Sequence, residues 1–100
     1  MLVTNVVKGT GALLNVYKEK VGGMPRSVKL FNVTRNTQGY WNDTMADDSA
    51  QITVDSGAGT TDISLITSGG IIPLASGFSI GTNASLNTSG DTIHYEADIA

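Results

Sequence analysis

The residues just before the C-terminal alanine alternate strictly between apolar and polar side chains. The apolar positions are Ile93, Tyr95, Ala97 and Ile99, and the polar positions are Thr92, His94, Glu96 and Asp98. Because successive side chains of a β-strand point to opposite faces, this pattern predicts a strand with one buried face and one solvated face. A shorter alternating run, 78–80, precedes it, and the Asn-, Ser- and Gly-rich stretch between the two predicts a corner.

Several other short stretches have the composition of strands. They span residues 1–7, 12–18, 27–34, 51–54 and 62–66. Turn residues separate them at 8–11, 22–25, 36–39, 56–59 and 68–70. A helix over 13–21 is an alternative, although no N-cap box precedes it and β-branched and aromatic residues lie inside it. Residues 71–74 are apolar, but Pro73 cannot donate to a ladder, which favours an edge or loop there.

Turn signals spaced by roughly 8 to 12 residues are typical of all-β sandwiches and barrels. The sequence therefore predicts an all-β fold: one small antiparallel β-sandwich or jelly-roll-like barrel with short strands and many turns. A chain of 100 residues is the size of one domain, so we expect a single β domain over 1–100. Within it, residues 1–8 are expected to form an N-terminal arm or an edge strand.

Composition narrows the functional classes. The net charge is −3, with six Lys and Arg residues in all, which disfavours direct nucleic-acid binding. The chain has no Cys, so it has neither a disulfide framework nor a thiolate metal site. No signal-like N-terminus and no apolar run of about 18 residues is present, so we expect a soluble protein without membrane contact.

Two constellations could carry chemistry. The run Asp55-Ser56-Gly57-Ala58 resembles the catalytic turn of retroviral aspartic proteases, but it lies past the midpoint of the chain and no helical pattern follows it. His94, Glu96 and Asp98 share a strand face at spacings that could bind a metal, yet the chain contains no second His. We interpret the first as a turn and the second as a subunit contact, and expect no catalytic, cofactor or metal site.

The order of features along the chain resembles small bacteriophage capsid decoration, or cement, proteins and related β domains of phage tail structural proteins. The resemblance rests on Gly9-Thr10-Gly11 after the first strand, on the 22–32 segment Gly-Gly-Met-Pro-Arg-Ser-Val-Lys-Leu-Phe-Asn, on the Trp41 region, and on the Gly-Phe-Ser-Ile-Gly-Thr and Asn-Thr-Ser-Gly-Asp-Thr-Ile-His-Tyr runs at 77–82 and 87–95. It implies a β-sandwich or jelly-roll-like domain, commonly trimeric, that binds the outside of an icosahedral shell and stiffens it.

From this resemblance we expect a non-enzymatic virion protein, made in the host bacterial cytoplasm and located on the outer surface of the phage capsid. Its expected partners are the major capsid protein and two further copies of itself. The candidate capsid or subunit contacts are Leu2, Val3, Lys18, Lys20, Arg26, Tyr40, Trp41, His94 and Glu96.

A different class of function remains open from the sequence. Tyr40 and Trp41, followed by Asn42 and Asp43, could form a stacking platform with polar neighbours, as in a carbohydrate- or receptor-binding module of a phage tail. The two hypotheses differ in what they require of Trp41, because a stacking platform needs an exposed ring.

Overall fold

The structure is a computed structural model that describes residues 1–16, 23–55 and 61–99. The fold is all-β, as predicted, and the described residues form one antiparallel sheet of eight strands. The strands are β1 (Leu2–Lys8), β2 (Leu14–Val16), β3 (Pro25–Asn32), β4 (Thr37–Asn42), β5 (Ser49–Asp55), β6 (Thr61–Leu74), β7 (Gly77–Ile80) and β8 (Thr92–Ile99). The helix alternative is wrong at 14–16, which is a strand, and its remainder at 17–21 falls outside the described residues.

The strands lie in the order β1-β8-β3-β4-β5-β6-β7-β2. The strands β1 and β2 are consecutive along the chain but occupy opposite ends of this order. Only residues 9–13 connect them, so the sheet must curl until its two ends approach each other. The result is a half-barrel made from one curled sheet rather than two sheets packed face to face. Residues 1–8 are an edge strand paired with β8, not a free arm.

The core lies on the concave side of the curled sheet. Strand β8 contributes Ile93, Tyr95, Ala97 and Ile99, all buried, so the face predicted from the alternation is confirmed. The remaining buried hydrophobic residues are Val16, Val28, Leu30, Trp41, Ala50, Ile52, Ile71, Phe78, Ile80 and Leu86. Leu86 comes from the corner between β7 and β8, so that corner covers the core.

Two expected turns are displaced. The turn predicted at 36–39 lies at 33–36, and Gly39 sits inside β4. A Cβ at position 39 would lie 2.5 Å from Leu86 Cδ2, so the glycine lets the corner approach the strand closely. The turn predicted at 68–70 is an irregularity within β6, where Gly69 has φ 73°. The adjacent β5 residues Ala50 and Ser49 pair with Ile66 and Ile71, so the intervening residues of β6 have no partner in β5.

One side chain ties the ends of the half-barrel together. Asn87 accepts the Thr10 N–H at 2.8 Å and donates through Nδ2 to the carbonyls of Ala12, at 2.6 Å, and Gly81, at 3.0 Å. Thr10 and Ala12 belong to the link between β1 and β2, and Gly81 follows β7. Asn87 is buried, and its side-chain amide bonds all three of these backbone groups. The Ala12 carbonyl also accepts from the Thr10 hydroxyl, at 2.9 Å.

A second buried polar group fixes the start of β8 against the β3–β4 turn. Asp91 Oδ2 accepts from the Asn32 side-chain amide at 2.8 Å and from the Arg35 guanidinium at 2.6 Å. The hydrogen bond from Asn32 holds the pKa of Asp91 below its ordinary value of 3.8; burial opposes this shift, and Arg35 reinforces it by hydrogen bonding and charge.

This carboxylate predicts a loss of stability in acid. Because the folded pKa of Asp91 lies below the unfolded value of 3.8, its contribution is fully present above pH 3.8 and is lost as the pH falls through the folded pKa. Chemical denaturation between pH 7 and pH 2.5 should therefore show a smaller fall in the free energy of unfolding for Asp91→Asn than for the wild type. Equal pH dependence in the two proteins would contradict this assignment.

Candidate binding surface on the outer face of the sheet

The convex side of the sheet, opposite the core, carries two rows of side chains that cross six strands. Strand register places them in line, because directly opposed residues of antiparallel strands share a face. From β1 to β6, the first row is Thr4, Glu96, Lys29, Tyr40, Gln51 and Leu65, and the second is Val6, His94, Phe31, Gln38, Thr53 and Ile63. We call this surface the outer face.

An open groove of about 670 Å³ runs over the part of the outer face formed by β1, β8, β3, β4 and β5. Phe31 and Tyr40 bring aromatic rings to it, and Gln38, Gln51 and His94 bring groups that can donate or accept hydrogen bonds. A groove that combines aromatic surface with a few polar groups has the general composition of a binding site.

The charges of the groove are available to a partner. Lys29 and Glu96 are direct cross-strand neighbours, and both line the groove. The ion pairs between side chains found among the described residues are Arg26–Asp98 and Arg35–Asp91, so neither Lys29 nor Glu96 is held in one. Both signs of charge are thus presented side by side without a fixed partner.

The outer face also exposes large apolar side chains. Val6 and Phe31 are each 41% exposed within the groove, and Ile63 and Leu65, on β6, are 64% and 65% exposed. Single exposed apolar residues need no explanation, but here they recur across one face together with aromatic rings. Such a concentration of apolar surface is typical of protein–protein contacts.

The structure places the predicted contact residues unequally. Leu2 is exposed, and Tyr40, His94 and Glu96 meet in the groove. Val3 points to the other side of β1 and packs against the core, so it does not lie on the outer face. Arg26, in β3, is exposed, and its guanidinium nitrogen lies 3.6 Å from a carboxylate oxygen of Asp98, in β8, where the two form an ion pair. The predictions at Lys18 and Lys20 lie outside the described residues.

Trp41 corrects one prediction. Its side chain faces the core, is 2% exposed, and donates its indole N–H to the Ala46 carbonyl at 3.1 Å. The ring therefore cannot form a surface contact or the stacking platform considered above. Tyr40, its neighbour in the strand, points to the opposite face, so the two rings cannot act together on one ligand.

Sequence reasoning missed several groove residues, among them Lys29, Phe31, Gln38 and Gln51. For Lys29 and Phe31 a signal existed, because they alternate with the apolar Val28 and Leu30 and must face away from the core. For Gln38 and Gln51 the signal depended on the register between β4 and β5, which a single sequence does not reveal.

Among residues 1–16, 23–55 and 61–99, no three His, Cys, Asp or Glu side chains come together as metal ligands would. Comparison with protein-family models, with curated proteins and with solved structures found no match to this chain. The part of the chain that the structure describes also holds no helix long and apolar enough to span a membrane.

Proposed function

We propose that this protein is a non-enzymatic decoration protein that binds the outer surface of a bacteriophage head and stabilises it. The observation that carries the proposal is the outer face, where exposed apolar and aromatic residues lie among Lys29 and Glu96, which form no ion pair with another described residue. The occupant of that face on the virion is the major capsid protein. The order of sequence features shared with decoration proteins supports the same assignment.

The composition of the groove fits a protein partner. Phe31 and Tyr40 supply aromatic area of the kind found at the energetic centre of protein interfaces, and Lys29 with Glu96 can pair with opposite charges on the shell. A single small contact of this kind would be weak. Repetition over a lattice, with three linked copies binding together, raises the effective concentration enough for stable attachment.

The alternative function, a carbohydrate- or receptor-binding module of a phage tail, depended on an exposed Trp41. That ring is buried, which removes the specific feature that favoured the alternative. The decoration hypothesis and the tail-module hypothesis predict binding to different targets, and the first experiment below distinguishes them.

Purified protein should bind phage heads that have been stripped of tails and of the native protein. We expect Phe31→Ala to weaken this binding by at least about 10-fold, since truncating a central interface aromatic commonly costs 2 kcal/mol or more. Leu13→Ala is the matched control, because Leu13 is an exposed apolar residue that does not line the groove. Co-sedimentation of heads with labelled protein measures both variants.

Failure of the wild-type protein to sediment with heads would contradict the proposed function. Binding instead to host polysaccharide would favour the tail-associated alternative. Equal head binding by the wild type and by Phe31→Ala would contradict the groove as the contact surface, while leaving the decoration function in place.

A further inference from the structure

Besides the three-residue strand β2, which pairs only with β7, two longer stretches of strand have no neighbour on one side among the described residues. The first is β1, which pairs only with β8. The second is the first part of β6, residues 61–66, which pairs with β5, whereas β7 pairs only with residues 71–74. We call these stretches the β1 edge and the β6 edge. Unpaired backbone N–H and C=O groups on an apolar edge readily accept another strand.

Hydrogen bonding shows which residues of the β1 edge face outward. Met1 and Ile99 exchange two bonds, from the Met1 amino group to the Ile99 carbonyl at 2.8 Å and from the Ile99 N–H to the Met1 carbonyl at 2.7 Å. In an antiparallel ladder such pairs alternate, so odd-numbered β1 residues bond to β8 and even-numbered ones turn their backbone groups to the free side. The Val6 N–H accordingly meets the Asn5 side chain, at 2.8 Å.

The same counting applies to the β6 edge. The Asp43 N–H donates to the Arg26 carbonyl at 2.9 Å, which fixes the alternation between β3 and β4. The registers from β3 to β6 are continuous, so the same alternation of bonded pairs extends to β5 and β6. In β6, the backbone groups of Thr61, Ile63 and Leu65 therefore point away from β5. On both edges, therefore, the residues whose backbone groups point to the open side are those whose side chains lie on the outer face. At Val6 the Asn5 side chain occupies the N–H, so the Asn5 amide must swing away before another strand can bond there.

We propose that the β1 edge of one copy pairs antiparallel with the β6 edge of a second copy. In the proposed register, residues 3–8 of one copy pair with residues 61–66 of the other in reverse order, so that residue 3 lies opposite residue 66 and residue 8 opposite residue 61. This register places Val6 opposite Ile63 on the outer face and Val3 opposite Ile66 on the inner face, while Asn5 meets Ser64. Bonded pairs coincide on the two strands, and the outer face continues from one copy to the next without inversion. Val3–Ile66 and Val6–Ile63 are apolar pairs, whereas Thr4 faces Leu65 and Val7 faces Asp62.

A second copy fits these edges because one chain carries both halves of the contact. Each copy offers one β1 edge and one β6 edge, so the contact is heterologous and can repeat until a ring closes. Ile63 and Leu65, about two-thirds exposed in the single chain, become covered by β1 of the neighbour. This assembly deepens the proposed function, whose attachment by several linked copies rests on such a ring, but it is tested on the isolated protein.

The test uses one variant for each edge. Thr4→Pro and Leu65→Pro each remove one N–H that faces the free side, so neither removes a bond to β8 or β5. Val6→Lys and Ile63→Lys are second variants that place a charge on each edge without proline. Leu13→Lys is the matched control, an equal change at an exposed apolar residue off both edges. Unchanged near-ultraviolet circular dichroism from the buried Trp41 reports that each variant is folded.

Light scattering after size exclusion should show the wild type and Leu13→Lys as oligomers of the 10.4 kDa chain, and each edge variant as a monomer. A mixture of Val6→Lys and Ile63→Lys should then form a dimer, because each variant retains the edge that the other has lost. Pairing between identical edges would instead leave one of the two variants oligomeric on its own.

A monomeric wild type at about 100 µM, folded edge variants that keep the wild-type mass, or a mixture that stays monomeric would each overturn the proposed pairing. Head binding is a separate outcome. An oligomeric wild type that fails to bind heads would contradict the decoration function alone, and a monomer that binds heads would contradict the edge pairing alone.

Discussion

Tyr95→Asp is expected to prevent folding. The Tyr95 side chain lies in the core, and its ring packs edge-on against Phe78 with the ring centres 5.2 Å apart. The substitution removes an aromatic side chain, at about 3–5 kcal/mol, and buries a charge that has no partner. The sum is comparable to the roughly 5–15 kcal/mol by which small proteins are stable. Circular dichroism and a thermal melt of the purified variant measure the result.

Tyr95→Phe is the control at the same position, with the opposite expectation. The Tyr95 hydroxyl is buried and has no hydrogen-bond partner among the residues that the structure describes, and burial raises its pKa. Removing it should leave the free energy of unfolding unchanged or increase it by about 1 kcal/mol, because no bond is lost. His94→Ala, on the outer face of the same strand, should keep the fold intact. A folded, stable Tyr95→Asp protein would show that the two faces of β8 have been interchanged.

Asn87→Ala is expected to lower the free energy of unfolding by about 1–3 kcal/mol, because it removes the side-chain hydrogen bonds to three backbone groups at the closure of the half-barrel. The groups are the N–H of Thr10 and the carbonyls of Ala12 and Gly81. Thr10 and Ala12 are exposed, so water can replace Asn87 there, whereas the Gly81 carbonyl is buried. Urea denaturation measures the change.

Two variants make this prediction specific. Asn87→Asp keeps an acceptor for Thr10 but turns an anionic oxygen towards the carbonyls of Ala12 and Gly81, so it should be at least as destabilising as Asn87→Ala. Thr88→Ala, which removes an exposed hydroxyl bonded to the Ala84 carbonyl at 2.7 Å, should cost less than about 1 kcal/mol. Similar stability of the wild type and Asn87→Ala would show that Asn87 does not hold the two ends together.

The strands β3 and β8 were predictable because each one has a buried and a solvated side. The alternation of β8 separated Tyr95 from His94 correctly, and the same reasoning applied to β3 would have exposed Phe31. The hypothesis of an exposed Trp41 was wrong because the faces of β4 were not assigned from the alternation. Trp41 lies on the same face as Thr37 and Gly39, and all three are buried. That face could be assigned only once the turn before β4 was placed correctly.

The closure of the sheet was not predictable, because it depends on contacts between distant parts of the chain. Asn87 looks like one of several turn residues in an Asn-rich corner, and nothing local distinguishes it from Asn83. Its partners at 10, 12 and 81 become neighbours only when the sheet curls. The groove has the same origin, since its walls come from five strands whose order does not follow the chain.

A cryo-EM map of phage heads, at a resolution that resolves strands, tests the decoration function most directly. The proposal predicts this half-barrel on the outside of the shell, with the groove that contains Phe31 and Tyr40 against the major capsid protein and β1 of each copy beside β6 of its neighbour. Heads without density for the chain would contradict the decoration function. Bound copies whose outer face points to solvent would contradict the proposed binding surface.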